Sequence, residues 1–237
     1  MSESDIRAAA IKFAKENKES IARELTDTNV YTPDETPVSI FMAGSPGAGK
    51  TEFSKALLLT LEKDRNHHVI RIDTDELRTR VPGYTGKNSY LFQGAVSIIA
   101  EKVHDYTLSN RQTFIFDGTL SKYDKAAENI KRSLDKKRRV FVFYVYQHPE
   151  VAWRFTEARE KVEGRNIPKS AFIEQFLGAR ETVERIREAF GSAVSIVLVK
   201  KDFEVNTVEA VKELDANKTI DVSIGKRYTK EELEQIL

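Results

Sequence analysis

Apolar residues recur at helical spacing over the first stretch of the chain, with Ile6, Ala10, Phe13, Ile21 and Leu25 on one side, which predicts an opening helix over residues 5–26. The Thr-, Asp- and Pro-rich stretch from Thr26 to Pro37 reads as a connecting loop. The pattern then changes to short β-branched or aromatic runs: Pro37–Ala43, His68–Ile72, Thr113–Phe116, Val140–Val145 and Val194–Val199. Helical patterns separate them. Phe53, Ala56, Leu57 and Leu61 form one stripe, and Phe92, Val96, Ile99, Val103 and Tyr106 another. A Ser121-x-x-Asp124 capping signal opens a helix from Lys125 to Leu134, and Val151, Phe155, Ala158 and Val162 form a further stripe. Alternating strands and helices predict an α/β fold: a parallel sheet covered by helices on both faces, with ligands at the carboxyl ends of its strands. Residues 202–237 are the least informative part.

The strand ending at Ala43 runs into Gly44-Ser45-Pro46-Gly47-Ala48-Gly49-Lys50-Thr51, which is GxxxxGK[ST] between a strand and a helix. Glycines in such a loop let successive backbone N–H groups converge on phosphates. Lys50 supplies a point charge to the β- and γ-phosphates, the Thr51 hydroxyl can ligate Mg²⁺, and the following helix N-terminus faces the anion.

Other candidates fall at strand ends or on a helical lid. In Arg71-Ile72-Asp73-Thr74-Asp75, strand residues two apart share a face, so Asp73 and Asp75 both reach the pocket if the strand persists that far. A carboxylate beside the γ-phosphate can accept the acceptor hydroxyl's proton; the alternative for Asp73 is a helix N-cap, with Glu76 three residues on. Phe114-Ile115-Phe116-Asp117-Gly118-Thr119 ends a strand in an acid that can hold Mg²⁺ and a hydroxyl that can meet substrate, or in an ordinary turn. Arg154, Arg159 and Arg165 lie in a segment of about 151–168, where Gly164 offers a left-handed cap and Arg165-Asn166-Ile167-Pro168 leads into another helix. Arginines on such a lid can offset charge on a transferred phosphoryl group, although helix faces rich in Glu and Arg are commonly solvated. Periodicity puts Glu101 opposite the apolar stripe of its helix, on the solvent side with Ile98 and Asp105.

Composition narrows the partners. The 237 residues carry 38 Lys+Arg against 37 Asp+Glu, a net charge of +1, so no global field recruits nucleic acid. Length favours one domain spanning 1–237. No apolar run approaches a membrane span, and Met1-Ser2-Glu3-Ser4-Asp5 lacks a signal-peptide pattern, so the expected location is the cytoplasm. With no cysteine, disulfides and thiolate chemistry are excluded, and the four histidines lack zinc-like spacing.

The ordered set of opening helix, Met42–Thr51 loop, Ile72-Asp73-Thr74-Asp75 with Pro82-Gly83-Tyr84 behind it, Gly118-Thr119 and Arg165-x-x-Pro168 resembles the zeta toxin family of P-loop kinases, over roughly Ile6 to Val199. That resemblance implies ATP and Mg²⁺ as cofactors and phosphorylation of a sugar hydroxyl of UDP-N-acetylglucosamine. It implies phosphate binding by Lys50, Asp75 rather than Asp73 as catalytic base, Glu101 and Thr119 on the acceptor, and Arg159 and Arg165 steadying the γ-phosphate, with Arg154 near enough to replace Arg159. Asp117 stands where the family can carry Glu. Toxicity through loss of a cell-wall precursor, and a small cognate antitoxin, are further implications. Rival readings are a P-loop kinase of a nucleoside, polynucleotide end or antibiotic alcohol, an ATP-binding switch without acceptor, and an inactive scaffold.

Overall fold

The computed structural model describes residues 2–65, 68–164, 167–202, 207–214, 220 and 224–237. Five parallel strands, β1 (Val38–Ala43), β2 (Ile70–Asp73), β3 (Phe114–Asp117), β4 (Arg139–Tyr146) and β5 (Val194–Lys201), stand in the order β2-β3-β1-β4-β5. An antiparallel edge strand, β6 (Val208–Glu213), extends the sheet beyond β5 and is exposed at every position. The order reverses at β1, whose neighbours are β3 and β4, so the crevice beyond its carboxyl end opens between outgoing connections.

β1 is buried at all six positions because both of its faces are covered. Alternation divides it: Val38, Ile40 and Met42 join Ile115, Val145 and Val199 under the Phe53, Leu57, Leu58 and Leu61 side of α2 (Lys50–Arg65). Phe41 and Ala43 face the larger cluster. That cluster is closed by α1 (Glu3–Leu25), α4 (Ser89–Ser109), α5 (Tyr123–Asp135) and α7 (Lys169–Phe190), with α1 packed along α4. Further α-helices among the described residues are α3 (Thr74–Arg78), α6 (Pro149–Glu163) and α8 (Lys230–Ile236), the last packed on α7.

The loop between α1 and β1 is tied to the opposite, amino-terminal edge of the sheet. Gln112 Nε2 donates to the carbonyls of Thr26 (2.9 Å) and Tyr31 (2.6 Å), and buried Arg138 bonds Ser39 Oγ at 2.7 Å and the Val38 carbonyl at 3.0 Å. That edge is therefore structural, and chemistry is left to the other.

Several local expectations change. Ser121 does not cap α5, which begins at Tyr123 after Lys122; its hydroxyl is 3.1 Å from Thr119 Oγ1 instead. In α2 the buried position is Ser54, and Ala56 is exposed. Of the stripe read from α6 only Val151 is buried: Ala158 is exposed and Phe155 and Val162 are 38 % and 86 % exposed, whereas Ala152 and Thr156, outside the stripe, are buried. The reason is that α6 packs through small residues onto the phosphate loop, a contact that needs closeness rather than bulk.

Candidate active site

β1 ends at Ala43 and the chain turns through Gly44–Gly49 into α2, whose first residues are Lys50 and Thr51. The turn demands glycine at two close approaches. A Cβ on Gly44, where φ is +140°, would lie 2.3 Å from the Val145 carbonyl oxygen; one on Gly47, at φ +69°, would lie 2.0 Å from the Ala152 carbonyl oxygen in α6. Lys50 Nζ donates to the Ser45 carbonyl at 2.6 Å, so the lysine folds over its own loop. Pro46, Gly47, Gly49, Lys50 and Thr51 line a cleft of about 370 Å³, while Ser45 and Ala48 are buried in the loop's own packing. The Gly44 N–H donates to the Thr119 carbonyl at 3.1 Å, tying the loop to the end of β3.

Across the cleft β2 and β3 end side by side, with Asp73 in register with Asp117. The strand does not persist to Asp75. Asp73 Oδ1 accepts from the backbone N–H of Asp75 (2.7 Å) and of Glu76 (3.4 Å), so the N-cap reading of Asp73 is the one observed, and Asp75 sits in the first turn of α3. This cap lifts Asp75 into the cleft, where Arg78, one helical turn on, is ion-paired with its carboxylate.

Between the two strand ends lies Arg71, buried to 7 % side-chain exposure, paired with Asp73, with Asp117 Oδ2 at 2.9 Å and with Glu76 at 2.5 Å. Burial alone would lower the guanidinium's pKa, but Asp73, Asp117 and Glu76 outweigh it and leave it raised. The Asp73 carboxyl is pushed up to about 6, by burial first and by the Asp117 charge next, against the pull of Arg71. Ser54 Oγ donates to Asp117 Oδ2 at 2.6 Å, so α2 and β2 together fix this acid.

Both of those hydrogen bonds fall on Asp117 Oδ2, leaving Oδ1 for a cation. A hydroxyl from Thr51 with one carboxylate, completed by phosphate oxygens and water, is a donor set that suits Mg²⁺. Among the described residues no group of three His, Asp or Glu side chains gathers as an all-protein metal cage.

Of the lid arginines, Arg159 lines the cleft and Arg154 is exposed on another face of α6, so the geometry favours Arg159. Gly164 caps α6 in the left-handed conformation expected of it, at φ +67°. Arg165 lies outside the described residues. Thr119 and Gly118 line the cleft beside Asp117. Glu101 does not line it: its carboxylate is ion-paired with Lys125 of α5, 41 % exposed. The cleft touches α4 only at Ser89, Tyr90 and Gln93, and eight residues of helix carry Glu101 roughly 12 Å further along the axis.

Arg71, Ser54, Arg78 and Tyr90 were not singled out as site residues by sequence reasoning. Arg71 leaves a legible signal, a cation inside an apolar strand that two acids follow. Arg78 is visible only once α3 sets the i,i+3 spacing from Asp75, and nothing in the sequence marks Tyr90, which reaches the cleft while donating to Glu3 at 2.5 Å.

A family model described as zeta toxin matches residues 21–213. Among solved structures, the chain is similar to one from the PezAT chromosomal toxin–antitoxin system of Streptococcus pneumoniae, with TM-score 0.67 and 16 % identity, covering 95 % of this chain and 92 % of that one. It is also similar to AvrRxo1-ORF1:AvrRxo1-ORF2 complexes. The native one gives TM-score 0.59 at 15 % identity, over 94 % of this chain and 73 % of that one. One solved with ATP gives 0.56 at 14 %, over 89 % and 65 %. At these identities the structural likeness speaks for the fold. A comparison with curated proteins gives no match.

Proposed function

The chain belongs to the zeta toxin family, and we propose that it is an ATP-dependent kinase that transfers the γ-phosphate to a hydroxyl of UDP-N-acetylglucosamine. The observation that carries the reading is that Lys50 and Thr51 of the phosphate loop share one cleft with Asp75, Asp117, Thr119 and Arg159. Each is of little chemical use without the others. The AvrRxo1 complex solved with ATP supports the choice of nucleotide.

In this mechanism the loop N–H groups, Lys50 and the α2 N-terminus bind the phosphate chain. Thr51 and Asp117 would hold Mg²⁺, which would supply charge neutralisation to the phosphate chain. Asp75 accepts the proton of the acceptor hydroxyl as that oxygen bonds to the γ-phosphorus and the bond to the β,γ-bridging oxygen breaks, releasing ADP. Arg78 orients the Asp75 carboxylate, and Arg159, with Arg165, offsets charge on the moving phosphoryl group. Thr119, at the β3 end, contacts the acceptor.

The sugar nucleotide is proposed from the family resemblance, as is toxicity through drain on a cell-wall precursor. The PezAT likeness supports an antitoxin-type protein partner. Among the described residues no helix is long and apolar enough to cross a membrane, and a cytoplasmic site of action is proposed with the substrate. The test is ATP consumption with and without UDP-N-acetylglucosamine, the sugar nucleotide followed by mass spectrometry. Phosphate added by the wild type and not by Lys50→Ala supports the reading. ATP binding without phosphate addition overturns the acceptor and sends the search to nucleosides and other alcohols.

A further inference from the structure

The phosphate loop has a second lysine beside it. Lys201 ends β5, two strands from the loop, and is 5 % exposed. A Cβ built on Gly49 would lie 3.0 Å from Lys201 Cε and 3.2 Å from Nζ, so the side chain runs along the loop at the residue before Lys50. Glu52 Oε2 would be 3.7 Å from the same point.

Among the described residues no hydrogen-bond or ion-pair partner stands close to the Lys201 ammonium. Arg71 meets three carboxylates, Arg180 meets Glu184 at 3.3 Å, and Arg138 meets Ser39 and backbone carbonyls although its Nη1 stays unpartnered. For Lys201, burial lowers the ammonium's pKa and Glu52 pulls it back only through longer-range attraction. The Lys201 stem is buried while its ammonium keeps contact with solvent, so a phosphate arriving at the loop meets a cation that no neighbouring carboxylate neutralises at close range. Lys201 stands beside the loop, next to the residues that line the cleft rather than among them, and the anion within its reach is the one that the loop cradles.

We propose that Lys201 is a second phosphate-binding lysine, contacting the α- and β-phosphates of the bound nucleotide from the β5 side while Lys50 serves the β- and γ-phosphates. It rests on the nucleotide reading above. Glu52, attracting the ammonium at longer range, competes with the phosphate for it. Because ATP and ADP both carry these phosphates, loss of Lys201 weakens both nucleotides, and its contact with the β-phosphate, the leaving group, also supports the transfer step.

Isothermal titration of MgATP and MgADP into the wild type, Lys201→Met and Lys201→Arg tests this, with thermal melts alongside. Lys201→Met is expected to weaken both nucleotides about 10- to 100-fold, the range for losing a charge-assisted hydrogen bond. Lys201→Arg should recover most of that affinity. Wild-type affinity in Lys201→Met overturns the proposal. Equal losses in the Met and Arg variants with lowered melting temperature also overturn it, because they mark a packing role. Should neither variant fold, Glu52→Gln decides: tighter ATP and ADP binding supports Lys201, and unchanged or weaker binding overturns it. A wild type that binds no ATP overturns the nucleotide reading itself. A wild type that binds while Lys201→Met is unaffected overturns Lys201 alone.

Discussion

On the nucleotide wall of the cleft the backbone does the holding, whereas on the acceptor wall side chains do. Gly44 and Gly47 sit so close to Val145 and Ala152 that the loop's path is set by sheet and helix together, and Lys50 rests on a carbonyl of its own loop. Opposite, Asp75 is placed by a chain of side-chain contacts: Arg71 holds Asp73, Asp73 caps α3, and Arg78 pairs with Asp75. A backbone-built wall tolerates no residue with a Cβ at its tight points but is indifferent to most side chains. A side-chain-built wall can be retuned by single substitutions, which suits the half of a site that chooses the acceptor.

The largest effect that would test this contrast is on the nucleotide wall. Lys50→Ala removes the charge the loop is built around, and turnover is expected to fall by about 10³-fold or more with nucleotide binding weakened too. Full-rate transfer by that variant would break the assignment of the cradle. Asp75→Asn, on the other wall, is expected to lower kcat by about 10²-fold or more while the ATP Kd changes by less than about threefold. That separation between affinity and rate is the signature of two walls with different duties. Unchanged turnover would remove Asp75 from the role of base.

The nucleotide wall was legible in the sequence for the same reason that it is rigid. Gly44, Gly47, Gly49, Lys50 and Thr51 are consecutive or nearly so, and a strand before and a helix after are enough to shape them. All five parallel strands were visible as apolar runs, to within a residue or two at their ends. The edge strand β6 was not, since Val208–Glu213 buries neither face and carries no strand-like alternation to a core. The acceptor wall was legible only in part. Asp75, Asp117 and Thr119 stand at predicted strand ends, but Arg71, Arg78 and Tyr90 enter through tertiary placement, and Asp73 was ambiguous until the strand was seen to stop there. The lid helix misled for a physical reason: beyond Val151 its apolar stripe faces outward because Ala152 and Thr156 must meet Gly47 closely.

Gly47→Ala probes that contact and sharpens the contrast. The new Cβ meets the Ala152 carbonyl oxygen at 2.0 Å and Thr156 Oγ1 at 2.7 Å, in a left-handed conformation that costs alanine about 1–2 kcal/mol before any clash. Loop and α6 must separate. ATP affinity is expected to fall by about tenfold or more by titration, and the melting temperature by several degrees. A variant with wild-type affinity would mean that the loop's path is not fixed by α6 when nucleotide is bound.

The smallest expected effect is at Glu101, and there the family position and the geometry part company. The family position gives Glu101 to the acceptor, whereas the structure pairs it with Lys125 on the α5 side, about two turns of α4 beyond Gln93. An exposed ion pair of this kind contributes roughly 0–1 kcal/mol, so Glu101→Gln should barely move the melting temperature and should change the acceptor KM by less than about threefold. A rise of tenfold or more in acceptor KM, with ATP KM unchanged, would show that the acceptor extends beyond the cleft as far as α5. Lys125 would then have to release the carboxylate on binding, and Lys125→Met would lower the acceptor KM rather than raise it. The acceptor wall would in that case be longer than the 370 Å³ cleft and assembled in part by the substrate itself.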